Sequence, residues 1–410
     1  MKPNGPVITQ PWLSEPGLQA VFSAIATAGG EARCVGGCVR DALLGHRVRD
    51  VDLATDLEPE AVMKALRSAG LKAVPTGIDH GTVTAVAKGT GYEVTTLRVD
   101  VETHGRHATV AFTDDWTEDA ARRDFTINAL YCDANGQVYD PVGGLEDLKG
   151  PHIRFIGNAV ARIEEDALRI LRFFRFHAWY GEKELDPEGL AACESRRDML
   201  DVLSVERVRH EMFRLLEAED PAPTIKAMET AGILSHIGIT GVSAAALDRL
   251  VILERAHAVP NGLRRLVAVM QGDAERIAAL ADQWKLSNAE KARLRGWAAA
   301  DRDLHDVSGK ITARAVIYRQ GTQAVIDAAL LSWAIRQNSE EIALEEAKSW
   351  TPPRFPLTGK DVLGLGVRPG KQVGQLLNEI ERQWIEGGFE QSEDALRQML
   401  VERVRRSVWS

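Results

Sequence analysis

The chain has 410 residues, 50 of them Lys or Arg and 59 Asp or Glu, for a formal net charge of −9; 45% of residues are hydrophobic. Apolar residues this plentiful exclude a mainly disordered chain, no run approaches the ~18 apolar residues of a membrane span, and net acidity argues against a histone-like nucleic-acid coat. The length predicts roughly two to four domains. Four cysteines are no disulfide framework and Met1–Gly5 opens no apolar leader, so a reducing, cytoplasmic setting is expected.

Up to about residue 150, short apolar runs alternate with helical patterns and glycine turns, which predicts mixed α/β structure. Val35 ends a strand that runs into Gly36-Gly37, and a short helix follows from Cys38 to Leu44 and stops at Gly45. Further strands are expected at Val51–Ala54, Thr82–Ala87 and Tyr92–Leu97, the last two joined by the hairpin signal Lys88-Gly89-Thr90-Gly91. From about Gly157 onward Leu, Ala, Glu and Arg dominate and the pattern is helical, broken at Asp186-Pro187, Asp220–Pro223 and Val259–Gly262. Thr351–Pro356 reads as a linker. The expected class is α+β: a head with a small mixed sheet, then all-helical structure.

Two adjacent features carry chemistry. Glycines at a helix start expose backbone N–H groups to an anion, and Arg40 lies one turn into that helix. Asp50 and Asp52 are two residues apart; on a strand both carboxylates share one face, with Val51 and Leu53 turned to the core. Two like charges this close call for a cation, and hard oxygen ligands suit Mg²⁺ shared with substrate phosphates. An anion cradle beside a paired-carboxylate metal site points to phosphoryl or nucleotidyl transfer.

The stretch Gly36-Gly37-Cys38-Val39-Arg40-Asp41 through Asp50-Val51-Asp52-Leu53-Ala54-Thr55 resembles the signature of class II tRNA nucleotidyltransferases and bacterial poly(A) polymerases, within the DNA polymerase beta-like nucleotidyltransferase superfamily. The resemblance implies that Asp50 and Asp52 bind catalytic Mg²⁺ and that Gly37 and Arg40 contact the incoming nucleotide. Arg122-Arg123-Asp124-Phe125-Thr126-Ile127-Asn128 is similar to another motif of that family. It implies Arg123 at the nucleotide and Asp124 near the ribose; by spacing alone, Arg123, Asp124 and Asn128 fall within about one and a half helical turns. Asp140–Leu148 looks like the family's hinge. Glu93 is either a third catalytic acid from a neighbouring strand or a structural glutamate.

Arg162–Phe176 has helical period, with Ile163, Ala167, Ile170, Leu171 and Phe174 on one side, charged residues opposite and Arg175 toward the edge of the stripe. Its Glu165-Asp166-Ala167-Leu168-Arg169 resembles the family motif in which an Asp and an Arg read the Watson–Crick edge of C or A in place of a template. Asp166 and Arg169 would do so here, with Arg172 and Arg175 near the nucleotide. A carboxylate accepts from the amine that C and A present, where U and G offer a carbonyl. Arg98–Glu118 corresponds to a mobile loop in the family; Asp100 matches roughly, and His104-Gly105-Arg106-His107 departs from the usual pattern.

Cys34 and Cys38 read as core residues rather than zinc ligands. Ser204–Glu211 is similar to a helix-stabilising family motif. Leu357–Gly374, with Lys360, Arg368 and Lys371, resembles the tail of bacterial members and could hold RNA phosphate, as could Arg403, Arg405 and Arg406. The implied organisation is a catalytic head at residues 1–150, a base-recognising neck at 151–216, and an RNA-binding body and tail at 217–350 and 351–410. The implied activity is addition of CCA to the tRNA 3′ end from CTP and ATP. A poly(A) polymerase, an enzyme adding only A or only CC, and a non-catalytic RNA-binding protein stand as alternatives.

Overall fold

The structure, a computed structural model, describes residues 1–104, 107–182 and 184–408. It divides into two compact units, Met1–Gly238 and Ile239–Ser410.

The first unit opens with α1 (Pro16–Thr27), whose initial proline stands in the first turn, where a missing N–H costs no intrahelical bond. There follow β1 (Ala32–Val35), α2 (Gly37–Leu43), β2 (Asp52–Thr55), α3 (Pro59–Ser68), β3 (Lys72–Gly77), β4 (Thr82–Ala87) and β5 (Thr90–Thr96). A separate two-stranded ribbon, β6 (Arg98–His104) and β7 (His107–Phe112), precedes α4 (Trp116–Ala121), β8 (Tyr131–Cys132), β9 (Val138–Tyr139) and α5 (Gly144–Lys149). The main sheet has the order β3-β4-β5-β2-β1-β8-β9, with β2 parallel to β5 and antiparallel to β1.

Strand alternation sorts this sheet into two faces. Cys34, Leu53, Val83, Ala85 and Val94 share one core with Leu18, Val21 and Ile25 of α1 and Val62 and Leu66 of α3. Val35 and Ala54 belong to the other, with Trp116, Tyr131, Tyr139 and Ile156. The expected hairpin closes at Lys88-Gly89, with φ 53° and 84°, the primed geometry that suits twisted strands.

Two expectations for the head change. β2 begins at Asp52, so Asp50 lies in the lead-in to the strand and Val51 is only half-buried. The segment expected as a loop, Arg98–Glu118, is the β6–β7 ribbon followed by the start of α4, consistent with the period-two sequence Val99-Asp100-Val101-Glu102-Thr103. Gly105 and Arg106 of that segment lie outside the described residues.

The helical part of this unit comprises α6 (Ala159–Glu165), α7 (Leu168–Tyr180), α8 (Pro187–Ser195), α9 (Val205–Leu216), α10 (Ala222–Thr230) and α11 (Ile233–His236), with α7 packed on α9. The helix expected across Arg162–Phe176 is therefore two. Asp166 has an extended backbone, φ −151° and ψ 104°, and its Oδ1 accepts from the Leu168 N–H at 3.1 Å, a side-chain bond that ends one helix and starts the next. The predicted apolar stripe holds: Ile163, Ala167, Ile170, Leu171 and Phe174 are all buried.

The second unit is helical throughout its described residues: α12 (Ala244–His257), α13 (Gly262–Val269), α14 (Ala274–Gln283), α15 (Asn288–Leu304), α16 (Lys310–Gln320), α17 (Thr322–Arg336) and α18 (Glu341–Ser349). After the proline-rich Thr351–Pro356 come α19 (Gly359–Leu363), α20 (Lys371–Glu386) and α21 (Glu393–Val408), with a core of their own around Leu357, Val362, Ile380 and Trp384. Among the described residues no helix is long and apolar enough to cross a membrane.

Candidate active site

Asp52 starts β2, and Glu93 of the parallel β5 is its register partner. By alternation Asp52 lies on the Ala54 face and Glu93 on the Thr95 face, the same side of the sheet. Asp50, Asp52 and Glu93 are exposed, and none has a side-chain hydrogen bond or ion pair among the described residues. The Asp52 carboxyl reaches solvent, yet its surroundings are crowded. Loss of hydration, then the charges of Glu93 and Asp50, push it above the usual carboxylate range, and Arg123 pulls the other way.

That donor set fits a hard divalent cation: three acids repel one another with no bonded basic side chain to neutralise them. Among the described residues no three acid, imidazole or thiol side chains already converge as a complete metal site. The four cysteines do not compete for that role; Cys34, Cys38, Cys132 and Cys193 are buried and unbridged.

The arginine whose charge Asp52 feels is itself clasped. Arg123 Nε and Nη2 lie 3.2 and 3.0 Å from Asp119 Oδ2, and Tyr131 donates its hydroxyl to the same oxygen at 2.8 Å. Arg122 takes the other oxygen at 2.5 Å. Burial of Asp119 works against its charge, but Arg123, Arg122 and Tyr131 outweigh it and hold the carboxyl down at about 2. Arg123 is also near Gly36, where a Cβ would stand 3.8 Å from its guanidinium. Gly36 adopts φ 74°, a conformation that L residues rarely take, and turns the chain from β1 into α2. Helix α4 stops at Ala121, so Arg123 to Asn128 is a turn rather than the helix its spacing predicted; a 3-10 turn spans Thr126–Asn128.

Arg40 is buried and satisfied: Nη1 lies 2.6 Å from Asn128 Oδ1, Nη2 lies 2.7 Å from the Tyr180 hydroxyl and 2.9 Å from Asp41, and the guanidinium sits 4.1 Å over the Tyr180 ring. Asp124 accepts from Asn128 Nδ2 at 3.0 Å and from Arg172 Nε at 2.7 Å. Burial opposes its charge, but Arg172 and the Asn128 amide win and its carboxyl falls below the ordinary range. Gly37, Arg40 and Arg123 thus gather around Gly36, while Asp124 and Arg172 tie the head to α7. Arg175 is not part of that group; it is buried and bound to Glu211 of α9 at 2.5 Å.

On the neck side, Arg169 Nη1 bonds Glu165 Oε2 at 2.5 Å and the Arg162 carbonyl at 2.8 Å, and its Nη2 reaches the Arg122 carbonyl at 3.3 Å. Asp166 Oδ2 accepts from Arg207 Nη2 at 2.6 Å. Arg169 therefore touches the peptide next to Arg123, which links the neck side of the candidate site to the head side. The turn read as a hinge is tightly capped: the Asp140 carboxylate accepts from the N–H groups of Val142, Gly143, Gly144 and Leu145 at 2.9–3.3 Å. Sequence reasoning missed Asp119, Tyr131 and Tyr180. Asp119 stands four residues before Arg123, a legible helical pair spacing; the tyrosines arrive through tertiary packing and left no local signal.

Comparison with known proteins covers most of this chain. Residues 32–154 match the poly A polymerase head domain, residues 184–238 the probable RNA and SrmB-binding site of polymerase A, and residues 263–400 a putative tRNA nucleotidyltransferase domain 2. The mitochondrial CCA tRNA nucleotidyltransferase 1 of Danio rerio is 34% identical over 377 residues, covering 89% of this chain and 86% of the relative. The CCA-adding enzyme of Levilactobacillus brevis is 32% identical over 383 residues, covering 92% and 95%. The crystal structure of the Bacillus stearothermophilus CCA-adding enzyme in complex with CTP superposes with a TM-score of 0.78 at 28% identity, over 97% of this chain and 99% of that one.

Proposed function

The chain belongs to the family of CCA-adding tRNA nucleotidyltransferases, and from that premise we propose that it adds C and A, from CTP and ATP, to the 3′ end of tRNA without a nucleic-acid template and with release of pyrophosphate. The observation that carries the site assignment is the group Asp50, Asp52 and Glu93, exposed around the start of β2 with no basic side chain bonded to any of them among the described residues, and with Arg123 in electrostatic reach of Asp52.

The family implies a divalent metal; Asp50 and Asp52 would hold it, with Glu93 as the third acid, and their hard oxygens favour Mg²⁺. When bound, the cation lowers the pKa of the tRNA 3′-hydroxyl and neutralises charge building on the triphosphate. Arg123, fixed by Asp119 and Tyr131, meets the triphosphate with its orientation already set, so little is lost on binding. Gly36 and Gly37 leave room for phosphate against the backbone. Arg40 reaches the nucleotide by exchanging one of its present partners, Asn128 or Tyr180, for phosphate oxygen. Asp124 lies near the ribose and fixes Arg172.

Asp166 accepts from the exocyclic amine of C or A and Arg169 donates to the ring acceptor beside it. U and G set a carbonyl against the carboxylate and leave both groups unpaired. Head, neck, body and tail at residues 1–150, 151–216, 217–350 and 351–410 complete the proposal, the last two gripping RNA. A reducing compartment such as the cytoplasm goes with the four unbridged cysteines. The extent of both alignments favours CCA addition over poly(A) synthesis or single-nucleotide addition, and the intact acids disfavour a purely RNA-binding role.

The test is to incubate the protein with tRNA lacking its 3′ end and each nucleotide alone and together, and to sequence the products. The wild type is expected to restore CCA, and Asp52→Ala to lower incorporation by at least about three orders of magnitude with tRNA binding kept. Unchanged incorporation by Asp52→Ala would refute the metal site.

A further inference from the structure

We propose that Tyr180, the last residue of α7, is a positioning residue for the nucleotide triphosphate: its ring seats the Arg40 guanidinium, and its hydroxyl is the partner that Arg40 exchanges for phosphate oxygen. The inference rests on the reading of Arg40 as a group that meets the nucleotide, and it names the residue that presents it.

Arg40 is 6% exposed, so its charge must be met within the fold. Nε and Nη2 reach Asp41 Oδ1 at 3.0 and 2.9 Å, Nη1 donates to Asn128 Oδ1 at 2.6 Å, and Nη2 donates to the Tyr180 hydroxyl at 2.7 Å. The flat face of the guanidinium lies on aromatic rings, 4.1 Å from the centre of Tyr180 and 5.3 Å from that of Phe176. Attraction to a ring face uses up no N–H donor, so it persists while hydrogen bonds are exchanged.

Of the two neutral partners, Tyr180 is the one free to let go. Asn128 is buried and its amide is bonded at both ends: Nδ2 donates to Asp124 at 3.0 Å, and Arg172 of α7 holds that acid at 2.7 Å. Withdrawing Arg40 there would strand an acceptor away from water. Tyr180 is half-buried at a helix end, and its hydroxyl also stands within hydrogen-bonding reach of Asp41, so it keeps a partner after Arg40 turns. The ring is not what packs α7 either. It stacks on Phe176 at 5.8 Å, and Phe176 is held independently by Phe125 at 5.2 Å. What goes with the ring is the seat of Arg40.

The experiment measures kcat and KM for CTP and for ATP, and KM for tRNA lacking its 3′ end. It compares the wild type with Tyr180→Leu, Tyr180→Phe, Arg40→Gln and the double variant of Arg40→Gln with Tyr180→Leu. Tyr180→Leu removes ring and hydroxyl, and should raise KM for CTP and ATP alike by about tenfold, the scale of a cation–π contact shielded from solvent. Its kcat and its KM for tRNA should change less. Tyr180→Phe keeps the ring and should recover most of the loss. In the double variant the leucine should add little to what Arg40→Gln costs, because an empty seat positions nothing. An unchanged nucleotide KM in Tyr180→Leu, an equal loss in Tyr180→Phe, or full addition of the two losses in the double variant overturns the proposal. Should Tyr180→Leu fail to fold, Tyr180→Met is judged by the same outcomes. A wild-type nucleotide KM in Arg40→Gln takes Arg40 off the triphosphate and sinks the reading on which the proposal rests.

Discussion

The acids at the start of β2 and the acids inside the second unit meet opposite fates. Glu254 and Asp327 are 1% and 3% exposed and are fully partnered. Glu254 binds Arg264 at 2.7 Å and Arg265 at 2.6 Å; Asp327 binds Arg264 at 2.8 Å, Arg293 at 2.7 and 3.0 Å, and Gln323 at 3.0 Å. The network joins α12, α13, α15 and α17. Asp50, Asp52 and Glu93 stand near one another, exposed, with no such partner among the described residues. A buried charge must be paired where it stands, because water cannot solvate it. An exposed acid group tolerates leaving its pairing to something that arrives. Charge around the start of β2 is therefore available for chemistry, and charge in the helical unit is spent on structure.

The comparison breaks most visibly in the second unit. Asp327→Ala leaves Arg264 buried against one remaining acid and strips the partner from Arg293, which should cost about 3–5 kcal/mol. The change is read as a lower midpoint in urea unfolding, and a loss under about 1 kcal/mol would mean the network is dispensable. Asp119 comes next, since it is an acid of the catalytic head that behaves like the buried kind. Its carboxyl is held down at about 2, so its contribution is present above the ordinary carboxylate range and disappears as pH falls from about 4 toward 2. Asp119→Asn should cost about 2 kcal/mol at neutral pH, flatten the acid limb of the stability profile, and raise KM for CTP by freeing Arg123. An acid limb identical to that of the wild type would show that Asp119 is not the group titrating there.

How much of this was readable beforehand follows the same division. Gly36, Arg40, Asp50 and Asp52 stand within one short stretch whose turn, helix and strand are local events, and the predicted β4–β5 hairpin closed where Lys88-Gly89 said it would. The break at Asp166 was also local, yet helical period masked it: the apolar stripe runs across both helices, and only the bond from the Leu168 N–H interrupts the backbone. Contacts spanning 36 to 140 residues, such as Arg172 with Asp124, Arg207 with Asp166, Arg175 with Glu211 and Arg40 with Tyr180, left no mark in spacing. An arginine's type announces that it will pair, but its partner is chosen by packing. Arg175, for one, pairs with Glu211, 36 residues further on.

The smallest effect sharpens the comparison most. Burial, Glu93 and Asp50 raise the Asp52 carboxyl, so its ionised form is disfavoured in the folded state. A raised group contributes stability that is complete below its unfolded pKa and lost as pH rises through the folded value; at neutral pH only the repulsion is left. Asp52→Asn removes that repulsion while nearly preserving shape. Without divalent cation the variant should melt higher than the wild type, by only about 1–2 °C because Asp52 is exposed and solvent screens the charges. Added Mg²⁺ should raise the wild-type Tm, since a ligand bound only by the folded state stabilises it, and should raise that of Asp52→Asn much less. The two melting curves then approach or cross as Mg²⁺ is titrated. No such crossing is expected for Asp327→Asn, because its acid has already found its cations within the fold. Equal Mg²⁺ responses in wild type and Asp52→Asn would mean that the exposed acids are no more a cation site than the buried ones.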